Sequence, residues 1–261
     1  MEPFTRRTPR VVAARRLLRR RERDEAGRFL VEGPQAVREA LAASAVLDLF
    51  GTPAALDRYP EFGGQAPRVS PVTEDGLAAL AETVNPQGLV AVCATRDVPL
   101  AGALAGPPRL VAVLAGIRDP GNAGTVLRTA DAAGAAAVVF AGEAVDPYNG
   151  KCVRASAGSL FHLDLVRAAD PVAVVGELRA AGLAVLAADP YGAAELDVLA
   201  DAGELRQPTA WLFGSEAHGL PDELARAADR RVRVPLYGRA ESLNLAAAAA
   251  VCLYTSARAL R

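Results

Sequence analysis

"VPLYGRAESLNLAAAAAVCLY", residues 234–254, joins three pieces of different character. A short strand ends at Pro235, a polar turn carries Glu241, Ser242 and Asn244, and a helix of small apolar residues follows. Proline has no N–H to donate to a ladder and stops a strand. Serine at a helix start offers its hydroxyl to the free backbone N–H groups, so Ser242 is the expected cap, with Asn244 inside the first turn. A strand feeding a helix through a polar turn is the repeating unit of an α/β sheet. Taken alone, the stretch reads equally as nothing more than a capped, buried helix.

The same unit repeats upstream. Apolar runs predict strands at 110–115, 136–140, 162–166, 183–187, 209–213 and 231–234. Helical periods fall near 122–133, 150–158, 171–181, 220–228 and 243–257. Strands that are apolar almost throughout, separated by helices, imply a parallel sheet covered on both faces. Residues 1–95 alternate as well. An amphipathic helix is expected over 10–27, with Val11, Val12, Leu17 and Leu18 as its stripe and Gly27 as its stop. Strands follow in "RFLVEG", "AVLDLFG" and "NPQGLVAVC", and helices in "PQAVREALAAS" and "SPVTEDGLAALAET", the second capped by Thr73 or Ser70. Residues 96–108, "RDVPLAGALAGPP", are rich in Pro and Gly and lack a period, so a linker is expected there. The expected organisation is a small α/β domain over 1–95 and a larger one over 109–261.

Composition removes several function classes. The apolar stretches near 132–142 and 243–254 are too short to span a bilayer. "MEPFTRRTPRVV" lacks the apolar core of a secretory signal. Cys93, Cys152 and Cys252 are odd in number and far apart, which fits a reduced, cytoplasmic protein. With two histidines and no cysteine cluster, no metal-ligand set is expected. The net charge of −1 hides an asymmetry: residues 1–28 hold ten arginines against four acids. Such a basic arm points to a polyanionic partner.

In parallel sheets ligands sit beyond the carboxyl ends of the strands, so three loops matter most. In "GIRDPGNAGTVLRTADAAG" (116–134), "DPGN" is a turn and Asn122 a candidate cap; Arg128 lies six residues on, nearly two helical turns. In "LFGSEAHGL" (212–220), Gly214 and Gly219 flank Glu216 after an apolar strand, which suits close ligand approach. The plainer readings are a solvated arginine and an acid near a helix N-terminus. The third loop is the opening stretch. A further segment, "YNGKCVRASAGSLFHL" (148–163), gathers Lys151, Arg154 and Ser156, which suit phosphate contacts or a solvated helix face. "GNAG" lacks the spacing of a dinucleotide fingerprint, and neither "GSEAHG" nor "RASAGS" makes a hydrolase elbow.

Taken together and in order, "NAGTVLRTADAAG", "LFGSEAHGL" and "VPLYGRAESLNLAAAAAVCLY" closely resemble the three motifs of the SpoU/TrmH-type RNA ribose 2′-O-methyltransferases of the SPOUT superfamily. "RRRERDEAGRFLVEGPQAVREAL" and "NPQGLVAVC" resemble that family's small N-terminal RNA-binding domain. The resemblance implies an α/β trefoil-knot domain at the C-terminus, S-adenosylmethionine as cofactor, RNA (23S rRNA rather than tRNA) as substrate, and a homodimer. It implies catalytic roles for Arg128, Asn122, Glu216, Ser242 and Asn244. Around the cofactor it implies Leu212, Phe213, Gly214, Gly219, Val234, Leu236 and Leu243. On the RNA it implies Arg16, Arg20, Lys151, Arg154 and Ser156. Two rivals remain to be weighed: a non-catalytic RNA-binding factor, against which the intact polar motif residues stand, and a nucleotide-dependent oxidoreductase, which lacks its glycine fingerprint.

Overall fold

The computed structural model describes residues 2–261, which divide into two units. The first comprises residues up to Arg96 together with Asp146–His162, and the second Asp97–Val145 with Leu163–Arg261.

In the first unit the arginine-rich stretch forms two helices, α1 (Pro9–Arg16) and α2 (Arg20–Ala26), where the apolar stripe predicts one. The break has a cause. Arg23 is buried, and its Nη1 donates to the carbonyls of Leu17 and Leu18, both at 3.0 Å, so those carbonyls leave the helical ladder. Gly27 ends α2 in the left-handed region (φ 60°), as expected of a C-terminal glycine. Then follow β1 (Arg28–Glu32), α3 (Pro34–Ala42), β2 (Val46–Gly51), two short helices α4 (Pro53–Arg58) and α5 (Pro60–Gln65), β3 (Val69–Pro71), α6 (Glu74–Ala78) and β4 (Leu89–Ala94). The sheet order is β1-β4-β2-β3, antiparallel except for β2 with β3. Thr73, not Ser70, caps α6 by accepting from Gly76 N–H; Ser70 is a strand residue whose hydroxyl donates to Asp48. Val11, Leu17, Leu30, Phe50, Leu77 and Leu80 pack into this unit's core.

The second unit begins before the expected linker ends. Asp97 bridges Leu165, and residues 100–103 form α7 (Leu100–Ala103), whose Leu100 and Ala103 join the core. Next come β5 (Leu110–Ala115), α8 (Pro120–Ala132) and β6 (Ala137–Ala141). Residues 146–162, expected in the C-terminal domain, belong with the first unit instead. Their helix α9 (Gly150–Ser156) follows Tyr148, whose ring lies 4.5 Å from that of Phe29, while Phe161 stacks on Phe29 at 6.1 Å. The chain then returns to the second unit through β7 (Asp164–Ala168), α10 (Pro171–Ala180), β8 (Ala184–Ala188), β9 (Ala194–Glu195), α11 (Leu196–Asp201), β10 (Thr209–Phe213), α12 (Asp222–Ala227), β11 (Arg230–Arg233) and α13 (Leu245–Ala259).

All pairings of the seven-stranded sheet are parallel, in the order β7-β6-β5-β10-β8-β11-β9. Each strand rises about 3.3 Å per residue with side chains alternating between faces. Leu212 packs on one face with Val174, Leu178 and Leu224, under α10 and α12. Its neighbour Trp211 points to the other, where its Nε1 donates to Ser256 Oγ of α13 at 2.9 Å. Helices α8 and α13 pack against each other on that second face. Among the described residues no helix is long and apolar enough to cross a membrane.

Candidate active site

Three residues far apart in sequence meet at the carboxyl ends of the central strands. Asn122 Nδ2 donates to Glu216 Oε1 at 2.8 Å, and Asn244 Nδ2 donates to Asn122 Oδ1 at 3.2 Å. Asn244 Oδ1 in turn accepts from the backbone N–H groups of Ala246 (2.9 Å) and Ala247 (3.3 Å). The direction of this chain is forced. Helix N–H groups only donate, so Asn244 turns its oxygen to them and its NH₂ outward. An ionised carboxylate only accepts, so Asn122 turns its NH₂ to Glu216 and its oxygen to Asn244. One polar wire therefore runs from the positive end of α13 to the Glu216 carboxylate, the sense the helix dipole favours.

Each member is positioned by local structure. Asp119, not Asn122, caps α8: its Oδ1 accepts from Asn122 N–H at 2.8 Å, with Pro120 at the first helical position. That leaves the Asn122 side chain free to face outward from the first turn. Asn244, not Ser242, caps α13, and Ser242 lies exposed in the loop before it. Both types cap well, but only Asn244 sits immediately before the helix. Asn244→Ala is therefore expected to cost about 1 kcal/mol, while Ser242→Ala changes stability by less than about 0.5 kcal/mol. Urea unfolding of the two variants measures the difference.

Glu216 sits at the tip of a turn closed by reciprocal backbone bonds between Ser215 and Gly219 (3.0 and 2.8 Å). The next helix starts only at Asp222, so Glu216 addresses α8 rather than that helix's N-terminus. Gly214 makes the turn possible. A Cβ there would lie 2.2 Å from the carbonyl carbon of Gly219, closer than atoms can pack.

The SpoU rRNA Methylase family matches residues 109–254, more than half of the chain. The chain belongs to the SpoU rRNA methylase family. Residues 8–91 match an MRM3-like substrate binding domain. A 23S rRNA (guanosine(2553)-2′-O)-methyltransferase, RlmP, of Bacillus subtilis is 38% identical over 244 residues, covering 92% of each chain. The AdoMet-bound rRNA methyltransferase from Sinorhizobium meliloti superposes with a TM-score of 0.83 at 33% identity, over 98% of this chain and 97% of that one. The AdoMet complex of AviRb from Streptomyces viridochromogenes gives 0.83 at 30% identity, over 97% and 98%.

In this SpoU methylase the other expected residues are placed as follows. Arg128 is exposed on α8, and its guanidinium has no hydrogen bond or ion pair among the described residues; the wire does not include it. Leu212, Phe213 and Gly214 are buried at the end of β10. Val234 is half-buried, and Leu236 and Leu243 are each 39% exposed, an apolar lip on the loop between β11 and α13. Tyr237, in that loop, donates its hydroxyl to Asp197 of α11, a partnership the sequence did not suggest.

The expected RNA contacts are sorted differently. Arg16 pairs with Glu22 at 2.7 Å and Arg20 with Asp24 at 3.6 Å. Arg154 is held by Glu82 at 2.9 Å and faces Glu32 at 3.8 Å. Ser156 is fully buried and donates to the Val153 carbonyl, which corrects its expected place on RNA. Lys151 is exposed on α9. The side chains of Arg7, Arg15, Arg19 and Arg28 are exposed and unpaired among the described residues, so the free cations of the arm are these four.

The thiols are not placed for nucleophilic chemistry. All three cysteines are buried, and burial pushes the thiols of Cys93 and Cys252 up, the latter to about 12. Among the described residues no group of three or more His, Cys, Asp or Glu side chains is placed to hold a metal ion.

Proposed function

We propose that this chain transfers a methyl group from S-adenosylmethionine to a ribose 2′-hydroxyl of 23S rRNA. One observation carries the assignment of the site: the Asn122–Glu216–Asn244 wire, built from all three family motifs at the carboxyl ends of the sheet. Relatives named as 23S rRNA 2′-O-methyltransferases support the choice of RNA.

The residues fit the cofactor. Val234, Leu236 and Leu243, half-buried or exposed in the loop between β11 and α13, suit the adenine and ribose surfaces, and Gly214, packed against Gly219, holds the turn that bears Glu216 at the end of β10. When bound, S-adenosylmethionine supplies an electrophilic methyl on a sulfonium. The chain supplies position and charge. A ribose hydroxyl is a weak acid, so holding its oxygen in line and stabilising developing alkoxide charge lower the barrier most. The Arg128 guanidinium donates hydrogen bonds and has no lone pair to accept a proton. It acts on phosphate or alkoxide, not as a base, and proton loss passes to a neighbouring phosphate or water. The wire fixes Glu216 and Asn122 and leaves Glu216 Oε2 to orient the substrate.

A homodimer completes the reading. Val251 and Tyr254 on α13 and Val198 on the adjoining α11 are large apolar side chains left exposed, as a self-complementary interface requires. A ribosomal substrate supports a cytoplasmic setting.

The arm carrying Arg7, Arg15, Arg19 and Arg28 meets RNA phosphates. The expected result is a fall of log K for RNA with log salt of slope about −0.7 per neutralised phosphate on single strands, or −0.9 on duplex. A flat profile in filter binding contradicts the placement. The substrate assignment is tested by incubating the protein with labelled S-adenosylmethionine and 23S rRNA or tRNA; preferential labelling of tRNA contradicts it.

A further inference from the structure

A cleft of about 340 Å³ opens at the carboxyl ends of β5, β6 and β10. That volume lies within the usual range of ligand sites, and the position is where parallel sheets bind ligands. Its apolar walls, Ala115, Ala141 and Leu224, belong to the core beneath α10 and α12. The Asn122–Asn244 contact lies at the starts of α8 and α13, which cover the opposite face. The turn 215–219 serves both places. Glu216 goes to the wire, while Ser215 and His218 line the cleft. Of the expected cofactor contacts, only Gly219 reaches it.

Three ionisable side chains line this cleft: Arg118, Glu143 and His218. Each is exposed, and none has a hydrogen bond or ion pair from its side chain among the described residues. A phosphate site would not include the Glu143 carboxylate, which repels anions. A purely apolar ligand would leave all three groups without a use. A nucleobase has both flat apolar faces and polar edges. Among the four bases, guanine offers two adjacent donors, N1–H and N2–H₂, that match both oxygens of a carboxylate. It also offers two adjacent acceptors, O6 and N7, that match a guanidinium fork. Adenine sets a lone pair at N1 against the carboxylate. Unpaired bases of RNA expose these edges to protein side chains.

We propose that this cleft seats an unpaired guanine of the substrate RNA, read by Glu143 on its Watson–Crick edge and Arg118 on O6 and N7. The inference rests on the chain acting on RNA, and it assigns base specificity to residues outside the three motifs' polar wire. Seating the base also steadies the turn that carries Glu216.

The test titrates the full-length protein with GMP, AMP, CMP and UMP by saturation-transfer NMR, and with S-adenosylmethionine by calorimetry. GMP is expected to bind at least about tenfold tighter than AMP. Glu143→Gln and Arg118→Ala each abolish that preference, and both leave the affinity for S-adenosylmethionine unchanged, which shows them folded. Equal binding of the four nucleotides, binding of none, or a GMP preference that survives Glu143→Gln overturns the proposal. So does competition between GMP and S-adenosylmethionine, which would make the cleft part of the cofactor site. Failure of the wild type to bind S-adenosylmethionine overturns the methyltransferase reading, and this inference with it; a failed GMP titration alone leaves that reading intact.

Discussion

Arg128→Ala lowers the rate of methyl transfer by about a hundred- to a thousandfold, the usual cost of deleting one group that stabilises transition-state charge. The fold and the affinity for S-adenosylmethionine stay unchanged, because Arg128 is exposed on α8 and its side chain bonds to nothing among the described residues. Surface substitutions of that kind move stability by less than about 0.5 kcal/mol. Single-turnover kinetics with saturating RNA separates the chemical step from binding. Arg128→Lys keeps the charge but loses the planar fork, and it too is expected to be slow. If the lysine variant retains near-full turnover with unchanged RNA affinity, a point charge suffices and the fork plays no part.

Arg23→Ala destabilises the N-terminal unit by about 3–5 kcal/mol, the cost of leaving a buried charge without its partner. Arg23 and Asp146 are 5% and 3% exposed, and the guanidinium donates through Nε and Nη2 to one carboxylate oxygen at 2.8 and 2.6 Å. The same guanidinium satisfies the Leu17 and Leu18 carbonyls, so its loss orphans three acceptors at once. Asp146 also accepts from Tyr148 N–H at 2.9 Å and so anchors the 146–162 segment to its unit. Guanidinium unfolding measures the effect. A shift below about 1 kcal/mol would mean that water reaches Asp146 and the two carbonyls once the guanidinium is gone, and would contradict this role for Arg23.

These two arginines show what the sequence reveals and what it hides. The parallel sheet is legible because strands buried on both faces, such as "LVAVLA" and "TAWLF", carry their burial in their composition. Arg128 is legible only as a motif position, since nothing local distinguishes it from a solvated helix residue. Arg23 is not legible at all. Its partner lies 123 residues away, and without that partner the stretch over 10–27 has every mark of one unbroken helix. The short helices α4 and α5 hide behind Pro53, Pro60 and a Gly-Gly pair. Residues 96–108 look like a linker for the same reason, although Leu100 and Ala103 are core. Asp119 was within reach: an acid directly before a proline is a helix-start signal. The wire was not, because hydrogen bonds spanning 94 and 122 residues leave no local trace. Nor was the Arg118–Glu143–His218 cleft, whose members come from three separate strand ends.

The central claim is that the chain methylates a ribose hydroxyl of RNA. It is tested most directly by incubating the protein with labelled S-adenosylmethionine and unmodified 23S rRNA, then digesting the product with alkali. A 2′-O-methyl group removes the hydroxyl that alkali needs to cleave the adjoining linkage. The account predicts label in an alkali-resistant dinucleotide. Label recovered in mononucleotides would mean that the methyl went to a base, and would contradict it.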